Sequence, residues 1–268
     1  MTERRLSAAP ATPVAAGSPA LLLIAHGSRD PRHAAAVAAL VTEVRALRPG
    51  LDVATAYLDH CAPRIPQVTA RLDRAAIAVP LLLNRAFHAK HDIPAALRTA
   101  GADLPLAAVL GPSPLLLAAL DRRLTEAAPE LASPAARART GVVLAAAGSS
   151  DPAADAATRA VAADWRRTRG WAAVEVAYAS AGGPRVPDAV AALRRVPAVE
   201  RVAVSPYLLA PGLLPDRIAE AATEAAADHL ADVLAPTPDL ARLLLTRYDE
   251  ARSTEARPAA RTHRALSA

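Results

Sequence analysis

The chain has 268 residues, enough to bury one large core or two modest ones, and its 53% hydrophobic and 21% charged content is globular, inflated by alanine. A net charge of +5 would suit a nucleic acid, yet there is no basic run, and 3% aromatic residues offer no stacking platform, so that class is excluded. The single Cys61 excludes an internal disulfide framework and a cysteine-built zinc site, and no run reaches the roughly 18 apolar residues of a membrane span.

Lys90 is the sole lysine, so arginine supplies nearly all of the basic residues. Scattered arginines suit an acidic small molecule better than a polyanion. Near the N-terminus, Arg4 and Arg5 precede an Ala/Pro-rich segment with some likeness to a twin-arginine signal. Pro10, Pro13 and Pro19 interrupt that segment, and its one strong apolar block, Leu21 to Ala25, reads as a core strand. The expectation is a disordered tail over residues 1–18 and a cytoplasmic protein.

In chain order, strand and helix alternate. Leu21 to Ala25 is the first strand, and H-G-S-R-D-P follows it, with Asp30 as helix cap and Pro31 at the first helical position. Val37, Leu40, Val41 and Val44 then repeat at the spacing of one buried helix face. Val53 to Leu58 is the second strand, followed by Asp59, His60 and Cys61, and Pro63 to Leu72 is a short helix. Ile77 to Leu83 is the third strand and Ile93 to Ala100 the third helix, whose start Asp92 is placed to cap. Leu104 to Leu110 gives a fourth strand and Pro114 to Ala127 a fourth helix. Such alternation predicts an α/β fold with a parallel sheet covered on both faces.

The pattern then restarts. A-H-G-S-R-D-P at Ala25 to Pro31 returns as A-A-G-S-S-D-P at Ala146 to Pro152, and P-R-I-P at Pro63 returns as P-R-V-P at Pro184, both at an offset of 121. V-L-G-P-S-P at Val109 returns as V-L-A-P-T-P at Val233, at an offset of 124. P-L-L-L at Pro80 matches P-Y-L-L at Pro206. The chain therefore reads as two tandem parallel-sheet domains, residues 19–128 and 141–251, joined by a linker over 129–140 and followed by a disordered tail over 252–268. The duplication is an internal control: His26 faces Ala147, Asp59 faces Ser180, and His88 falls opposite Leu214. The scaffold persists while these polar residues are lost, which assigns the site to the first copy.

His26, Asp59 and His88 each lie just past a predicted parallel strand, where open α/β sheets gather their chemistry. Two imidazoles and a carboxylate suit a divalent first-row metal with positions left open for a substrate. His91, three residues beyond His88, suits a contact to substrate or to a metal-binding imidazole rather than ligation. His60 could replace Asp59 if the second strand ended one residue later; His33, on a helix, receives no role. Ser28, Arg29, Arg64, Arg85 and Lys90 flank the trio as candidates for binding an anionic substrate. Phe87, the one phenylalanine, reads as core.

H-G-S-R-D-P after strand one, Y-L-D with P-R-I-P after strand two, and V-P-L-L-L with A-F-H-A-K-H-D-I-P after strand three resemble the small, class II sirohydrochlorin chelatases. The resemblance is strong over residues 20–127, and the second half is similar to the degenerate copy of the longer members. It implies a chelatase-like fold and insertion of ferrous iron or cobalt, with nickel also accommodated, into the tetrapyrrole sirohydrochlorin for sirohaem or cobalamin. It further implies no ATP and no organic cofactor; the metal is a substrate. His26 and His88 fill the family's metal-binding and catalytic histidine positions, and Asp59 stands where glutamate is frequent. The expected assembly is a monomer whose repeat replaces a homodimer, with no nucleic-acid or membrane partner. Two other readings start from the same residues: a non-catalytic metal carrier, and a histidine phosphatase. The latter is disfavoured because Ala25 stands where that chemistry wants an arginine.

Overall fold

The computed structural model describes residues 17–84 and 91–255. The expectations for Arg85, Phe87, His88 and Lys90, and for most of both tails, lie outside the described residues. Residues 252–255, expected as tail, are the last turn of the final helix. Among the described residues no helix is long and apolar enough to cross a membrane.

In the first copy, β1 (Ala20–Ala25) lies between β2 (Val53–Tyr57) and β3 (Ala76–Pro80), all parallel, with Leu23 opposite Thr55 on one side and Val79 on the other. β1 is buried on both faces, which is why it reads A-L-L-L-I-A instead of alternating. Helix α1 (Pro31–Leu47) starts where the Asp30 carboxylate accepts from the Arg32 amide at 2.9 Å, and it buries Val37, Leu40, Val41 and Val44. Helices α2 (Ile65–Thr69) and α3 (Ile93–Thr99) cover one face of the sheet, where Ile65, Ile93 and Leu97 meet Leu22, Ile24, Ala56 and Ala78.

Helix α4 (Pro114–Ala127) follows, then a 3-10 turn over Pro129–Ala132 and the short α5 (Pro134–Arg137). The Ala/Pro/Arg-rich connection is thus folded, because Leu131 is fully buried in the core and the Arg137 guanidinium sits 5.0 Å from the Trp171 ring centre. The second copy repeats the first, with β4 (Thr140–Ala146) between β5 (Ala173–Tyr178) and β6 (Arg201–Pro206), and the two-residue β7 (His229–Leu230) beside β6. Its helices are α6 (Pro152–Arg169), α7 (Val186–Leu193), α8 (Leu213–Glu224) and α9 (Pro238–Glu255). Loop bonds recur too: the Asp59 amide donates to the His26 carbonyl at 2.8 Å, and the Ser180 amide to the Ala147 carbonyl at 2.9 Å.

The last helix of each copy crosses to the other. Helix α9 packs on α1 and β3 of the first copy, while α4 packs on β6 and β7 of the second. Arginines fasten the exchange reciprocally. Arg123 on α4 donates to the Val233 and Pro236 carbonyls, both at 2.7 Å. Arg247 on α9 donates to the matching Val109 and Pro112 carbonyls at 2.9 and 3.2 Å, and to the Leu110 carbonyl at 2.9 Å. Residue i reaching j while j's counterpart reaches i is the signature of a two-fold interface, here built within one chain. One apolar cluster consequently runs through both copies, from Leu21 and Leu40 through Leu120 and Trp165 to Leu244 and Tyr248.

Two local expectations fail. Leu104 to Leu110 is not a strand: it makes one parallel bridge, Ala78 to Leu106. Pro105 has no amide to donate, and the Val109 and Leu110 carbonyls are taken by Arg247. Asp92 makes no capping bond from its side chain, because its backbone (φ −71°, ψ −47°) is already helical.

Candidate functional site

The site begins at the carboxyl end of β1, where His26 is followed by a glycine that only glycine can be. Gly27 has φ +91°, and a β-carbon there would sit 1.8 Å from the Asp59 carbonyl oxygen. This contact lets the loop after β2 close onto the loop after β1. Cys61 secures it, its Sγ accepting from the Ser28 amide at 3.4 Å and donating to the Ser28 carbonyl at 2.9 Å. Nothing in the sequence beyond Cys61's place next to the Asp59–His60 pair marked that role.

Three imidazoles gather here. His60 takes a left-handed backbone conformation (φ +62°), uncommon for a non-glycine residue, and its ring stands edge-on to His26 with centres 6.2 Å apart. His33, on α1, lines the same space and lies 6.3 Å from the Tyr57 ring. Burial pulls the His33 pKa down, the charge of His26 pulls it the same way, and Asp30 opposes them weakly.

The Asp59 side chain departs from expectation. Its carboxylate accepts from the His60 amide at 2.8 Å and pairs with Arg64 Nη2 at 2.9 Å, and these bonds hold its pKa below the usual carboxylate value. It lines neither part of the cleft described next, whereas His60 does. β2 ends at Tyr57, one residue earlier and not one residue later than expected, so strand length does not bring His60 round; the left-handed turn at His60 does, setting that ring, not the carboxylate, beside His26.

The cleft runs between the two copies in two adjoining compartments of about 810 and 770 Å³. His26 lines both, as do Leu82 and the second copy's Leu208, Leu209 and Leu214. The first compartment adds Ser28, Arg29, His33 and His60. The second adds Asn84, His91 and the loop Ala147 to Asp151, together with Tyr178 and Tyr207. Arg32 of the first copy pairs with Asp216 of the second at 2.6 Å beside the first compartment, and Asn84 donates to the Thr158 hydroxyl at 3.1 Å beside the second. In the second copy Ala147 replaces His26, and the Ser180 hydroxyl turns back to the Ala147 carbonyl at 2.6 Å. Leu214, the residue opposite His88 in the sequence repeat, lines both compartments with an apolar side chain.

Of the expected site residues, the structure thus joins His26, Ser28 and Arg29 in one compartment and places His91 in the next. Arg64 stays with Asp59 outside both; it also donates to the Leu58 carbonyl at 2.5 Å. His88, Arg85 and Lys90 lie outside the described residues. Among the described residues, no group of three or more His, Cys, Asp or Glu side chains is gathered closely enough to hold a metal.

Fold and site together define a duplicated, parallel-sheet α/β protein with an imidazole-bearing cleft between its copies. The CbiX family model matches residues 20–127 and again 141–251, and the chain belongs to that family. No curated protein matches it. Among solved structures it is similar to "SirB from Bacillus subtilis with Fe3+", with a TM-score of 0.74 at 23% identity, covering 88% of this chain and 96% of that one. The sirohydrochlorin chelatase SirB of Bacillus subtilis subspecies spizizenii, in complex with cobalt, gives 0.67 at 24%, covering 88% and 96%. A CbiX described as the terminal enzyme of sirohaem biosynthesis in denitrifying bacteria gives 0.65 at 24%, covering 90% and 100%. These likenesses establish the chelatase-like fold for this chain.

Proposed function

We propose that this protein is a sirohydrochlorin chelatase, a lyase that inserts Fe2+ or Co2+ into the tetrapyrrole on the way to sirohaem or cobalamin. The observation that carries the reading is the position of His26, just past the carboxyl end of β1 and on the wall shared by both cleft compartments. Membership of the CbiX family and the metal-bearing relatives support it.

Insertion exchanges one divalent cation for two pyrrole protons, so the site must present the metal and accept protons side by side. A neutral imidazole, with an unperturbed pKa of about 6.5, can donate its lone pair to the metal or take a proton near neutral pH. His26 and His88 are the pair we assign to these tasks, with Asp59 offsetting cationic charge from the neighbouring loop. Ser28, Arg29 and His91, with Arg85 and Lys90, would meet the macrocycle's peripheral carboxylates, and Arg64 would support them through the Asp59 loop. Leu208, Leu209 and Leu214 give a flat ring an apolar wall. Nitrogen and oxygen donors accept iron, cobalt and nickel alike, so metal choice falls to supply and geometry. We take the active form to be a cytoplasmic monomer, since the arginine-fastened pairing of the copies already supplies a two-lobed cleft.

The test is anaerobic: metal-free sirohydrochlorin is mixed with Co2+ or Fe2+, with and without the protein, and its absorbance is followed. Protein-dependent conversion to the metallated spectrum is expected. Metal binding with no acceleration of that change would identify a carrier instead.

A further inference from the structure

We propose that His60 is a metal ligand beside His26, and that Asp59 stays outside the ligands and holds the turn that presents His60. The chelatase reading enters only in naming the cargo. Two imidazoles sharing one ion through bonds of about 2.1 Å have ring centres roughly 5–6 Å apart. His26 and His60 stand at 6.2 Å with rings at 89°, so a small rotation of either lets both lone pairs converge. Both line the same compartment, beneath the second copy's Leu208 to Asp216 segment.

The alternative donor is already engaged. The Asp59 carboxylate accepts from the His60 amide and from Arg64, and it would have to give up the arginine to swing towards His26. In its observed place it serves His60 instead, fixing the backbone of the left-handed residue and lying 3.6 Å from its Nε2. A carboxylate behind a metal-binding imidazole is a recurrent arrangement, because it orients the ring and raises its basicity. The chain departs from easy backbone geometry at His60, and the result of that departure is to aim this ring at His26. Binding exchanges metal-bound water for the two imidazole nitrogens.

Cobalt(II) alone, titrated into the full chain and read by its visible absorbance, is the probe. His60→Asn is the primary variant, because asparagine tolerates the left-handed backbone that alanine would strain. Losing a partner behind a metal ligand costs about 10–100-fold in affinity, and losing a ligand should cost more. We expect His60→Asn to bind Co2+ at least about tenfold more weakly than Asp59→Asn, and X-ray absorption to count one imidazole fewer. A smaller gap, or a larger loss in Asp59→Asn, overturns the assignment. Failure of the chelatase reading shows up separately, as a cobalt-loaded parent that leaves the sirohydrochlorin spectrum unchanged.

Discussion

Gly27 and Asp59 are packed so tightly that the α-carbon of one lies beneath the carbonyl of the other, leaving 1.8 Å for any β-carbon. The second copy keeps the arrangement at Gly148, where a β-carbon would meet the Ala181 carbonyl at 2.2 Å. Both glycines have φ near +90°, at +91° and +93°. Alanine at either position combines a left-handed backbone with a collision against main chain, and we expect each to lose about 3 kcal/mol or more. Urea denaturation checks the stability. Only Gly27→Ala should also weaken cobalt binding, because only its loop carries His26. Equal metal affinity in both variants would separate this packing from the site.

The reciprocal arginines predict a second effect. Arg247 is 15% exposed and donates to carbonyls that have lost their place in a strand. Charge-assisted bonds contribute about 1.5–3 kcal/mol each, less when they share one side chain. Arg247→Ala should therefore cost about 3 kcal/mol, with Arg123→Ala similar. Its ion-pair partner Glu250 is 54% exposed, so Glu250→Ala should cost below about 1 kcal/mol. Denaturant midpoints decide between them. Comparable losses at Arg247 and Glu250 would mean the exchange of helices is held by packing alone.

This exchange also marks where sequence reading stops. The strands, the capped α1 and the two offsets were legible, because burial on both faces gives continuous apolar runs and capping needs particular side chains. The owner of α4 and α9 was not, since an apolar helix face looks the same whichever sheet it covers. The place of His26 in the cleft was legible from its position after a strand. Which of Asp59 and His60 turns towards His26 hung on a left-handed turn, which composition does not encode. Leu104 to Leu110 carried the apolar pattern of a strand, but its carbonyls found an arginine from the distant copy.

Asp121 supplies a pH prediction. It is 8% exposed, accepts from Trp165 Nε1 at 2.8 Å, and has Arg169 and Arg137 at 3.3 and 3.7 Å. Burial raises its pKa, and the tryptophan and the arginines offset this only in part. A carboxyl raised in the folded state binds its proton more tightly there than in the unfolded chain. Its contribution is complete below the ordinary value near 3.9 and is lost as pH rises through the raised one. Asp121→Asn keeps an acceptor for Trp165 and removes the titration. Thermal melts at several pH values should show the parent's stability, relative to the variant, falling as pH rises above about 4. A constant or rising difference would mean the arginines outweigh burial.

The last prediction separates holding the metal from holding the macrocycle. His26→Ala removes a side chain that touches both compartments and, on the proposed mechanism, a metal donor and proton acceptor together. Its kcat should collapse while metal-free sirohydrochlorin still binds. Arg29 is exposed in the same compartment and offers only a charge to a peripheral carboxylate. Such a contact, partly desolvated in the complex, is worth about 1.5–3 kcal/mol, or roughly 10–100-fold in KM. Arg29→Ala should therefore raise KM and leave kcat nearly unchanged, since the interaction is made equally in ground and transition states. Steady-state kinetics with iron and with cobalt test both variants. Should Arg29→Ala abolish turnover while His26→Ala retains it, insertion would not depend on the imidazole at the carboxyl end of β1, and the chemistry would belong elsewhere in the cleft.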